Sequence, residues 1–381
     1  MDLSFERVVT RRHFLIKCGM LALGSSLLPK LVKFGHAQDV RRGYINKTTA
    51  RYYESLSSKQ VKCLLCPHGC VVKPGSRGFC RVRENDDGIY YTQVHSNPCA
   101  VHIDPIEKKP LFHFLPGTTA LSIATAGCNF TCKNCQNYTI SQANPEDTYN
   151  YQLRPEDIVD LAIHYKTPTI AYTYTEPTVF FEYMLETSRI AHAKKIRNVY
   201  HSNGYMNQEP LLELAPHLDG ANIDLKAYSN AFYQEIASGT LLPVLETLKT
   251  LKKRGVWLEI TNLVIPTKND EESMLRDLCQ WIVQELGKDT PVHFSRFYPC
   301  YKLNNLPPTP VQTLEKAAEI GQTSGLDFVY IGNVPNVEEE NTFCPQCRSV
   351  IIGRRGYTIT DFNMKNGACT FCRTAIPGRW E

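Results

Sequence analysis

The sequence predicts an α/β protein built on a partial (β/α) barrel, with a small cysteine-rich metal-binding unit at each end. Three observations carry that expectation. Between residues 118 and 335, short apolar runs alternate with amphipathic helical patterns, the texture of βα units around a parallel sheet. Two sets of four cysteines flank this stretch. A third group, Cys128, Cys132 and Cys135, follows the first apolar run of the barrel.

The leader, residues 1–37, comes first. "VVTRRHFLIKCGMLALGSSLLPKLVKFGHAQD" pairs Arg11 with Arg12, continues through Phe14, Leu15 and Lys17 into an apolar stretch, and reaches small residues at Gly35 and Ala37. That is the layout of a twin-arginine export signal, a route for folded, cofactor-loaded proteins. The expectation is periplasmic or exported; a cytoplasmic protein with an amphipathic extension is the alternative. Lys30 and Lys33 break the apolar run, so no stable membrane span is expected.

Residues 38–117 form the N-terminal cysteine-rich unit. Cys63, Cys66, Cys70 and Cys80 make a four-thiolate set in a stretch rich in Gly and Pro, with little periodic apolar surface. Such a unit needs a metal to fold. Zinc is the first expectation and a second iron–sulfur cluster the alternative, because the spacing suits both.

The barrel follows over 118–335. "TALSIATAG", "PTIAYTYTEP", "IRNVYHSNGY", "GANIDLKAY", "VWLEITNLVI", "VHFSRFYP" and "DFVYIG" read as strands. Between them, "RPEDIVDLAIHYK" and "LPVLETLKTLKKRG" read as helices, the first opened by Pro155 and the second closed by Gly255. In a parallel barrel, chemistry gathers at the C-terminal strand ends. The polar clusters fall there: Thr173 to Glu176, Ser202 to Gly204, and Asp224 to Lys226. The tail, 341–381, carries two C-x-x-C knuckles, Cys344/Cys347 and Cys369/Cys372. They read as a ribbon around one tetrahedral metal, with zinc preferred over iron.

Bulk numbers narrow the function. A net charge of +4 over 381 residues argues against a nucleic-acid binder. Fifteen cysteines, eleven of them in three clusters that carry C-x-x-C pairs, point to metals rather than disulfides. The spacing C-x3-C-x2-C supplies three thiolates where a closed site takes four. A [4Fe-4S] cluster held by three cysteines keeps one iron open for an exogenous ligand, as catalytic zinc sites keep one position open. The alternative is a zinc site completed by a fourth side chain such as His113. A multi-metal electron-transfer or scaffold protein without radical chemistry is the competing function.

C-x3-C-x2-C after the first barrel strand resembles the signature of radical S-adenosylmethionine (SAM) enzymes. The resemblance implies a [4Fe-4S] cluster on Cys128, Cys132 and Cys135, with SAM on its open iron. It also implies reductive cleavage of SAM and hydrogen abstraction from an unidentified substrate. That superfamily places a Gly-Gly-Glu motif at the second strand end; here "YTYTEPT" keeps Glu176 and Pro177 and puts Tyr174 and Thr175 where the glycines stand. Asn134 occupies a position that is usually aromatic. By resemblance to pyruvate formate-lyase activating enzymes, Ser202, Asn203, Asp224 and Lys226 are ribose- and carboxylate-side contacts, and Val264 and Ile265 lie near the adenine. "CLLCPHGCVVKPGSRGFCRVREN", "SIATAGCNFTCKNCQNYTIS", "NIDLKA" and "HFSRFYP" together resemble the radical enzyme of the AmmeMemoRadiSam system. That resemblance implies AMMECR-type and Memo-type partners beside a low-potential electron donor.

Overall fold

Strands join the central sheet in the order in which the chain supplies them. The computed structural model describes residues 40–381 together with the backbone of Lys30–Leu31. The paired arginines lie outside the described residues. The sheet runs β1 (Ala100–Pro105), β2 (Thr119–Ala124), β3 (Thr169–Tyr172), β4 (Arg197–Ser202), β5 (Gly220–Asp224), β6 (Trp257–Val264), β7 (Val292–Arg296) and β8 (Val329–Gly332). β2 through β8 are parallel. β1 is antiparallel to β2, and Lys30–Leu31 pairs with its other edge.

Each crossover carries a helix: α1 (Pro155–His164), α2 (Phe181–Ala193), α3 (Gln208–Leu214), α4 (Leu241–Lys253), α5 (Glu272–Leu286) and α6 (Val311–Thr323). The parallel strands read as continuous apolar runs because helices cover one face and the barrel interior the other. All of Thr169–Tyr172 is buried, for example. Helix spacing is equally plain. α4 buries Val244, Leu248 and Leu251 on one stripe, and Gly255 supplies the left-handed residue (φ +75°) beyond its end.

The sheet curls. After β7, the amides of Lys302 and Leu303 both donate to the carbonyl of Lys133, in the loop after β2, at 2.9 Å. Five strand spacings separate β2 from β7, about 24 Å in a flat sheet, so the contact requires strong curvature. Among the described residues no strand pair closes β8 onto β1, which makes the barrel partial.

β1 departs from the expectation. The sequence assigns it to the N-terminal unit, yet it hydrogen-bonds along the whole of β2. It is too short to show a period, and its role is to cover the edge that β2 would otherwise expose. The rest of the N-terminal unit forms two small three-stranded sheets, Thr48–Thr49/Ile89–Thr92/Arg83–Asp86 and Tyr53–Ser55/Val61–Cys63/Val71–Val72.

The tail folds as Thr342–Phe343, Val350–Arg355 and Thr358–Phe362, followed by a small hairpin ending at Cys369. Its apolar side, with Cys344, Ile351, Ile352 and Cys369, packs on Phe112, Phe328 and Tyr330. Phe328 precedes β8, so the tail closes the N-terminal end of the barrel, opposite the loop of Cys128. His113 belongs to this seam. Its Nδ1 donates to the carbonyl of Pro377 at 2.7 Å and its Nε2 accepts from the Tyr330 hydroxyl at 2.6 Å. Both ring nitrogens are occupied there, so His113 does not complete a metal site with the three cysteines.

Candidate functional site

Three loops at the C-terminal strand ends are tied into one wall. The loop after β2 carries Cys128, Cys132 and Cys135, all partly buried. The amide of Phe130 donates to Cys128 Sγ at 3.3 Å, and the Ser141 hydroxyl lies 3.1 Å from Cys135 Sγ. Polar donors at thiolate sulfur are a lever on iron–sulfur electronics. Burial pushes all three thiols up, Cys132 to about 11 against the pull of Lys226. Metal loading there must therefore release protons.

The size of the sulfur set tests which metal fits. A tetrahedral ion with thiolate bonds near 2.3 Å needs sulfur–sulfur edges of about 3.8 Å. The tail meets that demand: Cys344 and Cys372 Sγ are 3.5 Å apart, Cys347 and Cys369 Sγ 3.8 Å, and all four lie within 4.8 Å. Among the described residues, no other group of three His, Cys, Asp or Glu ligand atoms comes so close. Cys128, Cys132 and Cys135 share one loop and do not form such a compact group.

Glu176 organises the neighbouring strand ends. It is 2% exposed. Its Oε1 accepts from the Thr178 amide (3.0 Å), the Thr178 hydroxyl (2.7 Å) and the Ser202 hydroxyl (2.7 Å), and Oε2 accepts from the Asn203 amide (2.8 Å). A carboxylate offers about four lone-pair sites, two on each oxygen, so Oε1 is saturated from within the protein while Oε2 takes one partner. Burial still raises its pKa above the usual carboxylate value, against the hydrogen bonds from Asn203, Thr178 and Ser202. Tyr174 sits in the left-handed region at φ +65°. Its carbonyl accepts from Asn137, and the Thr175 hydroxyl donates to the carbonyl of Thr125 at 2.9 Å, so this turn is fastened to both ends of the cysteine loop.

Asp224 and Lys226 form an ion pair at 2.9 Å, with 31% and 19% of their side-chain surfaces open. Burial works to raise the Asp224 carboxyl, but Lys226 and then His201 overcome it and hold it well below the usual range. Lys226 is held protonated by Asp224 and by nearby Cys132, against the cost of its burial. Val264 and Ile265 are both buried; Ile265 packs with Ala227, Phe297 and Leu303.

Sequence reasoning missed several residues. His201 Nε2 is 2.9 Å from Asp224 Oδ1 and joins that pair; the residue stands directly before Ser202, on the opposite face of β4. Asn129, beside Cys128, accepts from Asn203 Nδ2 at 2.8 Å and donates to the Tyr205 carbonyl at 2.7 Å. Inside the barrel, Tyr174 donates its hydroxyl to Asp104, which also pairs with Lys108 and Lys109 at 2.7 Å. Asp104 lies on β1, whose membership of the sheet was invisible in the sequence.

Residues 122–279 match the sequence profile of the Radical SAM superfamily. The chain belongs to that superfamily. Its similarity to "Uncharacterized protein MJ0808" of Methanocaldococcus jannaschii is 47% identity over 329 residues, 86% of this chain and 98% of that protein. "Uncharacterized protein MJ0674" of the same organism is 24% identical over 283 residues, 70% of this chain and 76% of that one. Among solved structures, a domain of pyruvate-formate lyase-activating enzyme from Bacteroides vulgatus is 13% identical, with a TM-score of 0.39 over 43% of this chain and 98% of that one. SuiB of Streptococcus suis bound to S-adenosylmethionine is 11% identical, with a TM-score of 0.45 over 63% and 56%. As a radical SAM enzyme, the protein uses a [4Fe-4S] cluster and SAM, and the barrel mouth holds the donor set suited to both.

Proposed function

We propose that this radical SAM enzyme cleaves S-adenosylmethionine reductively at Cys128, Cys132 and Cys135 and abstracts hydrogen from a protein or small-molecule substrate. The observation that supports it is a three-cysteine loop at the barrel mouth beside a half-buried ion pair of opposite charges. Cys128, Cys132 and Cys135 would hold the cluster, which would supply the one-electron reduction that splits the sulfonium and makes hydrogen abstraction possible. The chain's own part is to hold and orient. Lys226 and Asp224 offer complementary charges to the carboxylate and the amine or ribose side of the cofactor. Glu176 fixes the Tyr174–Thr175 turn and the Ser202–Asn203 turn relative to each other, and so shapes the wall that the methionyl group meets.

The likeness of the combined cysteine, "YTYTEPT" and "NIDLKA" segments supports membership of the AmmeMemoRadiSam system, with AMMECR-type and Memo-type proteins as partners. A low-potential protein supplies the electron. The tail holds zinc as a staple, and the leader directs export through the twin-arginine route.

The test is anaerobic reconstitution followed by dithionite and SAM. The wild type forms 5′-deoxyadenosine, and Cys132→Ala does not. An intact cluster that yields none overturns the proposal. Replacing Arg11 and Arg12 by Lys retains the protein in the cytoplasm if the leader works as proposed; an unchanged distribution refutes export.

A further inference from the structure

Cys63, Cys66, Cys70 and Cys80 line a single chamber on the mouth side of the barrel. Three of the four are buried. Yet no three of these sulfurs lie within 4.8 Å of one another, while all four tail sulfurs do. The tail is sized for one ion; the chamber sulfurs form no such compact group among the described residues.

The chamber wall carries a further sign of an occupant. Tyr90 is fully buried and lines the chamber, and its hydroxyl, beside Gly78 of the same lining, has no hydrogen-bond partner among the described residues. A Cβ on Gly78 would stand 2.8 Å from it, so the glycine leaves the hydroxyl its place. A buried hydroxyl without an acceptor is costly; cluster sulfur would accept from it. Arg83, 1% exposed, lines the same wall as a cation and is paired with Glu182 at 2.5 Å. The Phe79 amide donates to Cys70 Sγ at 3.5 Å.

The chamber also touches the catalytic loop on both sides of Cys128. Gly127 (φ +91°) lies against Cys80 and Val82 so tightly that a Cβ would be 2.6 Å from the Cys80 carbonyl oxygen. Asn129 lines the chamber, and His68, between Cys66 and Cys70, donates from Nε2 to its carbonyl at 2.7 Å. The tail metal sits at the other end of strands about 20 Å long.

We infer that the N-terminal thiolates hold a second iron–sulfur cluster, closed by four cysteines, which relays one electron to the centre at Cys128, Cys132 and Cys135. One electron from a reduced flavodoxin- or ferredoxin-class donor enters the chamber and leaves through the His68–Asn129 and Cys80–Gly127 contacts. The chamber then returns to its starting oxidation state. The relay rests on the radical SAM reading; the presence of the cluster does not.

Full-length protein purified without oxygen is assayed for iron, sulfide and zinc, and by electron paramagnetic resonance after dithionite. Combining Cys128→Ala, Cys132→Ala and Cys135→Ala leaves about four iron per chain and a reduced-cluster signal. Zinc at two sites with no iron in that variant overturns the assignment. Tyr90→Phe keeps the fold and provides a second measurement. It shifts the midpoint potential of the chamber signal and leaves the SAM-responsive signal unmoved; an unshifted potential refutes the part given to the hydroxyl. The relay is read by freeze-quench with reduced flavodoxin in Cys63→Ala/Cys66→Ala. The catalytic-loop cluster is reduced at least about tenfold more slowly, a change of about 1.4 kcal/mol in barrier. An equal rate overturns the relay. Loss of 5′-deoxyadenosine with both clusters present would indict the radical SAM reading instead.

Discussion

Lowering the pH should loosen the seam between the tail and the barrel, through one histidine. His113 is fully buried, and burial depresses it from 6.5 to about 4, with Glu259 pulling it upward and Arg354 and His293 pushing it down. Its tautomer is fixed by its partners: the Pro377 carbonyl only accepts, so Nδ1 carries the proton and Nε2 takes the Tyr330 hydroxyl. In the unfolded chain the same ring gains a proton near pH 6.5. Between those two values the unfolded state binds more protons than the folded one, so stability falls as the pH falls through the window. It is fully present above 6.5, and nothing further is lost below about 4. At pH 5 the loss is about 2 kcal/mol relative to pH 7.5. Gln in place of His113 keeps one donor and one acceptor without the titration. Urea unfolding of metal-loaded wild type and His113→Gln, under argon from pH 7.5 to 5, measures it. The wild type should lose about 2 kcal/mol more than the variant. Parallel pH profiles would refute the claim that a neutral imidazole holds this seam.

Other perturbations have equally direct readouts. Gly127→Ala adds a left-handed alanine and a clash with the Cys80 carbonyl and Val82, together about 2–5 kcal/mol; thermal melting and iron content should both drop, and a normal melt would show that this contact is slack. Asp224→Asn removes the charge that Lys226 and His201 face, and should weaken SAM binding about 10- to 100-fold in equilibrium dialysis. Arg83→Met leaves Glu182 as a buried unpaired charge and should cost about 3–5 kcal/mol by denaturation. Cys344→Ser should release one equivalent of tail metal, with no change in iron if the tail holds zinc.

Much of the fold was legible in the residues. Seven apolar runs became seven parallel strands because each was short, uninterrupted and bounded by helix signals. Glu176, Ser202, Asn203, Asp224 and Lys226 stood at strand ends, so any parallel barrel would bring them to one mouth. β1 was not legible, because six residues that cover an edge carry no period. His201 was hidden because its partner Asp224 lies on another strand, 23 residues away.

Cysteine spacing by itself marked three cysteine sets and showed that one of them is a cysteine short of four, since ligand count is written along the chain. Nuclearity was beyond it: how far apart four sulfurs come to rest depends on which strands and turns press them together, and C-x-x-C pairs occur in both narrow and wide sets. Only the folded arrangement separated the compact tail set from the cysteines that line the chamber. Only it set that chamber against the peptide bonds flanking Cys128, with the tail at the far end of the barrel.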